Sequence, residues 1–171
     1  MKFSICIPNF NYGAYIGKTI QSVLEQSYQN FEILVSDNQS NDDSVAVVKA
    51  YSDDRVQLRI NNNNVGFAGN LLKAAAMATG EYMIMLSSDD MMLPSALEHY
   101  HRLLSHFSPS QAQRMIVTSR VNVVNSQGEK VGEQGMDQKL WHQGSKDPEL
   151  TALIGYDVYA IDGRPYYANP Y

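Results

Sequence analysis

Cysteine occurs once in this chain, as Cys6, so an internal disulfide is excluded. It sits inside an apolar run, where a small buried hydrophobe is the better reading than a reactive thiol, and a reducing compartment fits. Positive charge is also scarce: 13 Lys and Arg stand against 18 Asp and Glu, a formal net charge of −5. No basic patch emerges from that balance, which argues against nucleic acid as the main partner. The charges are scattered, so none of them forms a solvating tail. No apolar run approaches the ~20 residues that span a bilayer, and the start MKFSICIP does not read as a basic-then-apolar leader. The expected setting is the cytoplasm; association with the inner face of the cell membrane stays open, although no basic amphipathic stretch argues for it. His99, His101 and His106 lack the i, i+4 pairing that would set two zinc ligands on one helical face.

What is present is alternation. Phe3 to Ile7 reads as a strand, and Ile16, Ile20, Val23 and Leu24 fall on one face of a helix from Ala14 to Gln26. Phe31 to Val35 is a second strand, followed by a helix that Ser40 or Asn41 can cap and that runs to about Tyr51. Val56 to Ile60 is a third strand and Asn61 to Asn64 a loop. Ala68 to Thr79 is a helix with Gly80 beyond its end, and Glu81 to Leu86 a fourth strand. Pro94 opens a helix to about Phe107, Met115 to Val124 is a fifth strand, and Asn125 to Gly128 is a hairpin turn leading into Lys130 and Val131. Strand and helix at this spacing predict an α/β fold, a mostly parallel sheet with helices on both faces. The last forty or so residues read differently. Gly132 to Pro148 is polar and shows no sustained period, Glu149 to Ile154 reads as one helical turn or two, and the end is crowded with Tyr156, Tyr159, Tyr166, Tyr167 and Tyr171. The expected division is a ligand-binding domain over 1–125 and, over 126–171, the start of a second region that is cut short.

Buried parallel strands are continuous apolar runs, and ligands gather at their carboxyl ends. Here the first strand ends in Pro8, Asn9, Phe10, Asn11 and Tyr12, the second in Asp37, and the fourth in Asp89 and Asp90. Carboxylates beside amides and aromatics suit a nucleotide with a divalent metal. Alternatives stand beside each residue: Asp89 and Asp90 could cap the next helix, and Phe10 reads equally well as a core aromatic. Asp37 carries the stronger functional reading, because a carboxylate at the end of a buried strand needs a partner to offset its desolvation.

Five motifs in order carry a resemblance: Ser4-Ile-Cys-Ile-Pro-Asn-Phe-Asn11 with Ser27-Tyr-x-x-Phe-Glu-Ile33; Val35-Ser-Asp-Asn-Gln-Ser-Asn-Asp-Asp43; Asn64-Val-Gly-Phe-Ala-Gly-Asn70; Ala78-Thr-Gly-Glu-Tyr82; and Leu86-Ser-Ser-Asp-Asp-x-x-Leu-Pro94. Over roughly residues 3 to 97 the chain resembles family 2 glycosyltransferases of the GT-A, Rossmann-like fold. The resemblance implies transfer of a sugar from a nucleotide-diphosphate donor, UDP- or dTDP-linked, to the hydroxyl of a saccharide or lipid-linked acceptor. Inversion at the anomeric carbon and Mn²⁺ or Mg²⁺ as cofactor are implied with it, as is a place in bacterial surface-polysaccharide biosynthesis.

The family's DxD motif reads Ser87-Ser88-Asp89 here. Asp89 then maps onto the metal ligand, Asp90 is a second carboxylate, and Ser88 falls on the nucleotide side. Pro8, Asn9 and Phe10 match the base-holding positions, Asp37 and Asn38 the acidic pair that meets the base edge, and Gly66 and Asn70 a phosphate- or ribose-side contact. Asn38 departs from the family's acid, since an amide both donates and accepts. No Glu-Asp pair follows Asp90, so the catalytic base is unassigned among Asp137, Asp147, Asp157 and Asp162. A truncated chain is the expected explanation. Two other classes stay in view: a non-catalytic sugar-nucleotide-binding or assembly module, and a nucleotidyltransferase. The latter is disfavoured because Pro-Asn-Phe-Asn stands where a Gly-rich phosphate loop would be.

Overall fold

The computed structural model describes residues 1–108, 120–125, 127–134 and 157–160. Four strands, β1 (Phe3–Asn9), β2 (Phe31–Asp37), β3 (Val56–Ile60) and β4 (Tyr82–Met85), form an all-parallel sheet in the order β3-β2-β1-β4. Between them run α1 (Gly13–Leu24), α2 (Ser44–Lys49) and α3 (Gly66–Ala75). Beyond β4 come β5 (Asp90–Met92), α4 (Ala96–Leu104), β6 (Arg120–Val124), β7 (Lys130–Gln134) and β8 (Asp157–Ala160).

The pleat of β1 divides the core in two. Phe3, Ile5 and Ile7 join Ile33 and Val35 of β2, Ile16, Ile20 and Val23 of α1, Val48 of α2, and Leu97 and Leu104 of α4 in one buried cluster. Cys6 faces the other way, with Leu34 and Ala74 of α3. Helices therefore cover both faces of the sheet, as the alternation predicts. The thiol of Cys6 is buried and pushed up to about 11, mainly by that burial, so it is inert at neutral pH.

Glu32 shows how the sequence locks the amino-terminal edge of the sheet. Only 4% exposed, its carboxylate accepts from Lys2 Nζ (2.6 Å), Ser4 Oγ (2.6 Å), and the backbone N–H (2.8 Å) and hydroxyl of Thr79. The Gly80 N–H in turn donates to Ser4 Oγ at 2.8 Å. A Cβ on Gly80 would lie 2.6 Å from the Lys2 carbonyl oxygen, so no side chain fits there. Two of the motifs quoted above, Phe31-Glu-Ile33 and Ala78-Thr-Gly-Glu-Tyr82, are thus one structural clasp.

Several boundaries differ from expectation. Helix α2 starts at Ser44, because Ser40 and Asn41 are engaged by the first loop instead of capping it: Ser40 Oγ accepts from the Asn11 N–H (2.9 Å), and Asn11 Oδ1 accepts from the Asn41 N–H (2.8 Å). Helix α3 is displaced toward Gly66 and stops at Ala75, short of Thr79, which the Glu32 clasp holds. Pro94 lies ahead of α4, whose N-cap is Ser95.

Asp90 lies in a strand, and β5 belongs to a second, mixed sheet of order β5-β8-β6-β7 that the sequence pattern did not predict. The β6–β7 hairpin is as expected: it is antiparallel, with Gly128 at φ 82° and its N–H donating to the Asn125 carbonyl at 2.9 Å. The expected division at 125/126 falls inside this hairpin. The first half of the predicted fifth strand and the helical turn expected at 149–154 lie outside the described residues, as does the tyrosine-rich end apart from Tyr159 of β8. Among the described residues, no helix is long and apolar enough to cross a membrane.

Candidate functional site

The parallel sheet brings three strand ends side by side. Asn9 and Asp37 are register partners at the ends of β1 and β2. The Leu86 N–H donates to the Cys6 carbonyl at 3.0 Å, so the chain leaving β4 stays alongside β1 as it enters Ser87, Ser88 and Asp89. Thr19 of α1 fixes that exit, its hydroxyl donating to the Ser88 carbonyl at 2.8 Å. Residues 28 and 80 positions apart in sequence thus converge on one edge, the carboxyl edge at which ligands of open α/β sheets bind.

Asp37 is 1% exposed, and its carboxylate is met by the fold itself. Oδ1 accepts from Asn9 Nδ2 (2.9 Å) and Ser40 Oγ (2.6 Å), and Oδ2 from the Ser40 N–H (3.0 Å). The partner that its burial requires is therefore internal. Asn38, also buried, uses its whole side chain: Nδ2 donates to Asn64 Oδ1 (2.8 Å) and the Gly66 carbonyl (3.3 Å), while Oδ1 accepts from the Val65 N–H (2.9 Å) and Asn61 Nδ2 (3.3 Å). Asn70 is likewise turned inward. Its Oδ1 accepts from Ser36 Oγ (2.8 Å) and Asn61 Nδ2 (2.9 Å), and its Nδ2 donates to the Asn9 carbonyl (3.2 Å).

Other expected residues face the edge differently. Phe10 is 42% exposed, not a core aromatic, on a loop whose next residue, Asn11, holds a left-handed φ of 60°. Asparagine tolerates that conformation better than most residues. The loop is pinned at its far end, where the Gly13 N–H donates to Asp42 Oδ2 at 2.8 Å. Burial and hydrogen bonds from Ser44 and Gly13 set the Asp42 carboxyl, with the bonds prevailing and the pKa lowered. Pro8 is half-buried, Asn9 and Ser88 are buried, and the amide oxygen of Asn9 has no hydrogen-bond partner. Gly66 sits at φ 75° with open space where a Cβ would be, so its role is conformational.

Asp89 is 2% exposed and Asp90 half-buried beside it. Neither caps α4, which starts at Ala96. Burial first, and the adjacent Asp89 charge second, push the Asp90 carboxyl up to about 7. One of its oxygens is buried without a hydrogen-bond partner. Two adjacent carboxylates held out of water, one with an orphaned oxygen, fit a cation that would neutralise both. Among the described residues no group of three or more His, Cys, Asp or Glu could hold a metal. Mg²⁺ or Mn²⁺ can be bound through one or two carboxylates, with phosphates and water completing the shell. Of the four candidate bases, Asp137, Asp147 and Asp162 lie outside the described residues, and Asp157 is described only as the first position of β8.

Ser40, expected as a cap, and Asn61 and Asn64, expected only as loop and motif residues, tie these loops together through their side chains. The available signal was the run of four asparagines, Asn61 to Asn64, a residue type whose side chain bonds readily to nearby backbone.

The model of the family described as glycosyl transferase family 2 matches residues 4–142. The chain belongs to glycosyl transferase family 2. Among curated members, a UDP-Glc:alpha-D-GlcNAc-diphosphoundecaprenol beta-1,3-glucosyltransferase of Escherichia coli is 38% identical over 95 residues, covering 56% of this chain and 38% of that protein. A GalNAc(5)-diNAcBac-PP-undecaprenol beta-1,3-glucosyltransferase of Campylobacter jejuni is 36% identical over 99 residues, 56% of this chain and 32% of that protein. The chain thus spans about a third of the length of these family members. Among solved structures, S. aureus TarS in complex with UDP superposes with a TM-score of 0.58 at 22% identity, over 72% of this chain and 35% of that one. This likeness shows the GT-A fold.

Proposed function

We propose that this chain is the donor-binding part of a glycosyltransferase that moves a sugar from a nucleotide-diphosphate donor, UDP- or dTDP-linked, to an acceptor hydroxyl. The observation that carries the reading is the convergence of Asp89 and Asp90 with Asn9, Phe10 and Asp37 on one edge of a parallel sheet. Asp89 and Asp90 would hold Mn²⁺ or Mg²⁺. The chemistry supplied there is neutralisation of the diphosphate charge as the glycosidic bond breaks. Phe10, half exposed at the mouth, offers a ring face for the base to stack on. Pro8, Asn9 and Ser88 line the nucleotide side, with Gly66 and Asn70 shaping its wall. Asp37 serves the nucleoside indirectly, by fixing Asn9 and Ser40. The E. coli and C. jejuni relatives are named for lipid-linked acceptors, which supports a lipid-linked saccharide acceptor and work at a membrane face; inversion at the anomeric carbon is part of the same proposal and rests on the family resemblance alone.

A second reading, a sugar-nucleotide-binding module without turnover, is favoured by Ser87 in place of the first acid of the DxD motif. Titration with UDP, with and without Mn²⁺, tests the site. UDP binding strengthened by Mn²⁺ in the parent and losing that gain in Asp89→Asn is expected. Equal binding by both proteins would reject the metal assignment. Hydrolysis of a donor panel then separates enzyme from module.

A further inference from the structure

Asparagine at position 38 is the point at which this chain departs from its family's acidic pair, and the structure gives that departure a use. Both hydrogens of its amide are given away, to Asn64 Oδ1 at 2.8 Å and to the Gly66 carbonyl at 3.3 Å. Its oxygen accepts twice, from the Val65 N–H at 2.9 Å and from Asn61 Nδ2 at 3.3 Å. An amide has two donors and two acceptor sites, so nothing is left over for a ligand. All four bonds go to the segment from Asn61 to Gly66, which joins β3 to α3.

The segment is also tied from within and below. Asn64 Oδ1 accepts from the Gly66 N–H at 2.8 Å, the Asn61 N–H donates to the Asp37 carbonyl at 2.8 Å, and Asn61 Nδ2 reaches Asn70 Oδ1 at 2.9 Å. Asn70, in the first turns of α3, then bonds the Asn9 carbonyl at 3.2 Å. The start of α3 is thereby set against the end of β1, at the mouth of the nucleotide cleft.

We propose that Asn38 is a positioning residue that latches the β3–α3 loop and the start of α3 in place, and that it does not read the base. The inference rests on the nucleotide reading of the cleft. A carboxylate at position 38 has no proton to give, so it would face the Asn64 and Gly66 oxygens with nothing to donate. Asn64 could turn its own amide to meet that carboxylate only by releasing the Gly66 N–H.

The two roles predict opposite signs for one substitution. If Asn38 met the base edge, Asn38→Asp would restore the acceptor-only group of the family and keep or tighten UDP binding. If it is the latch, Asn38→Asp weakens UDP binding by about tenfold, the scale of one or two lost hydrogen bonds. Asn64 is exposed, so Asn64→Ala should fold normally, release the same loop and weaken binding similarly. Sharing one latch, the two changes should be non-additive, the double variant binding little worse than the weaker single.

Hydrogen exchange at the Gly66 amide reads the latch without any nucleotide and should accelerate in both variants. Faster exchange with no UDP binding even by the parent would sink the nucleotide reading, and with it any role of Asn38 in nucleotide affinity. UDP binding by the parent, with unchanged or tighter binding by Asn38→Asp, would overturn the proposal and leave the nucleotide site standing. Additive losses, or unaltered Gly66 exchange, would overturn it too.

Discussion

Replacing Glu32 by Gln tests the clasp between the two motifs at the amino-terminal edge. Burial alone would raise this carboxyl, but the hydrogen bonds from Lys2, Ser4 and Thr79 outweigh it and hold the pKa at about 2, against 4.5 ordinarily. The folded-state value lies below the unfolded one, so the ionised form stabilises the fold. That stability is fully present above about pH 4.5 and is lost as the pH falls toward 2. Two and a half units correspond to about 3 kcal/mol at neutral pH, of which about 1 kcal/mol remains near pH 2.5. A domain of this size is stable by only about 5–15 kcal/mol, so the clasp is a large part of the total. Glu32→Gln keeps the volume, loses the charge, and sets an amide N–H against donors. Urea unfolding of parent and variant should give a difference of about 2–4 kcal/mol at pH 7 that shrinks to about 1 kcal/mol or less near pH 2.5. A pH-independent difference, or less than about 0.5 kcal/mol at pH 7, would refute the reasoning.

Two further outcomes follow from the strand ends. Asp37→Ala removes three hydrogen bonds that orient Asn9 and Ser40. Nucleotide affinity should fall about tenfold or more even without metal, and metal-free UDP titration of the folded variant checks this. Asp90, raised to about 7 by burial and the Asp89 charge, is partly protonated in the metal-free protein at neutral pH. A cation favours its ionised form, so Mn²⁺-dependent UDP binding should strengthen as pH rises through about 7, with a proton released on binding, and Asp90→Asn should flatten the profile. An unchanged profile in that variant would assign the dependence elsewhere.

Strands β1 and β2 were legible because they are short apolar runs almost wholly buried on both faces, which few alternatives reproduce; β3 and β4 are only partly buried and were legible from their place in the alternation. Helix α1 was legible because Ile16, Ile20 and Val23 mark one stripe. Boundaries decided by distant side chains were not. Ser40 looks like a cap in sequence, yet the Asn11 N–H and the Asp37 carboxylate claim it. β5 is three residues long and gains its identity from β8, a strand nearly seventy positions away, so no local pattern could announce it. At the site, motif order placed Asp89 and Phe10 just beyond the ends of β4 and β1, but not Asp90 in a strand or Phe10 in the open. Nor did it give the inward turn of Asp37, Asn38 and Asn70, because a motif records residue type and not which way its hydrogen bonds run.

The most direct measurement is a crystal structure of this chain grown with UDP and Mn²⁺, with the metal located by its anomalous scattering. The account predicts one manganese peak within coordination distance of an Asp89 oxygen and of the diphosphate, with the base lying against Phe10 beside Asn9. Manganese or nucleotide bound away from the ends of β1, β2 and β4, or a diphosphate with no metal at Asp89, would contradict it.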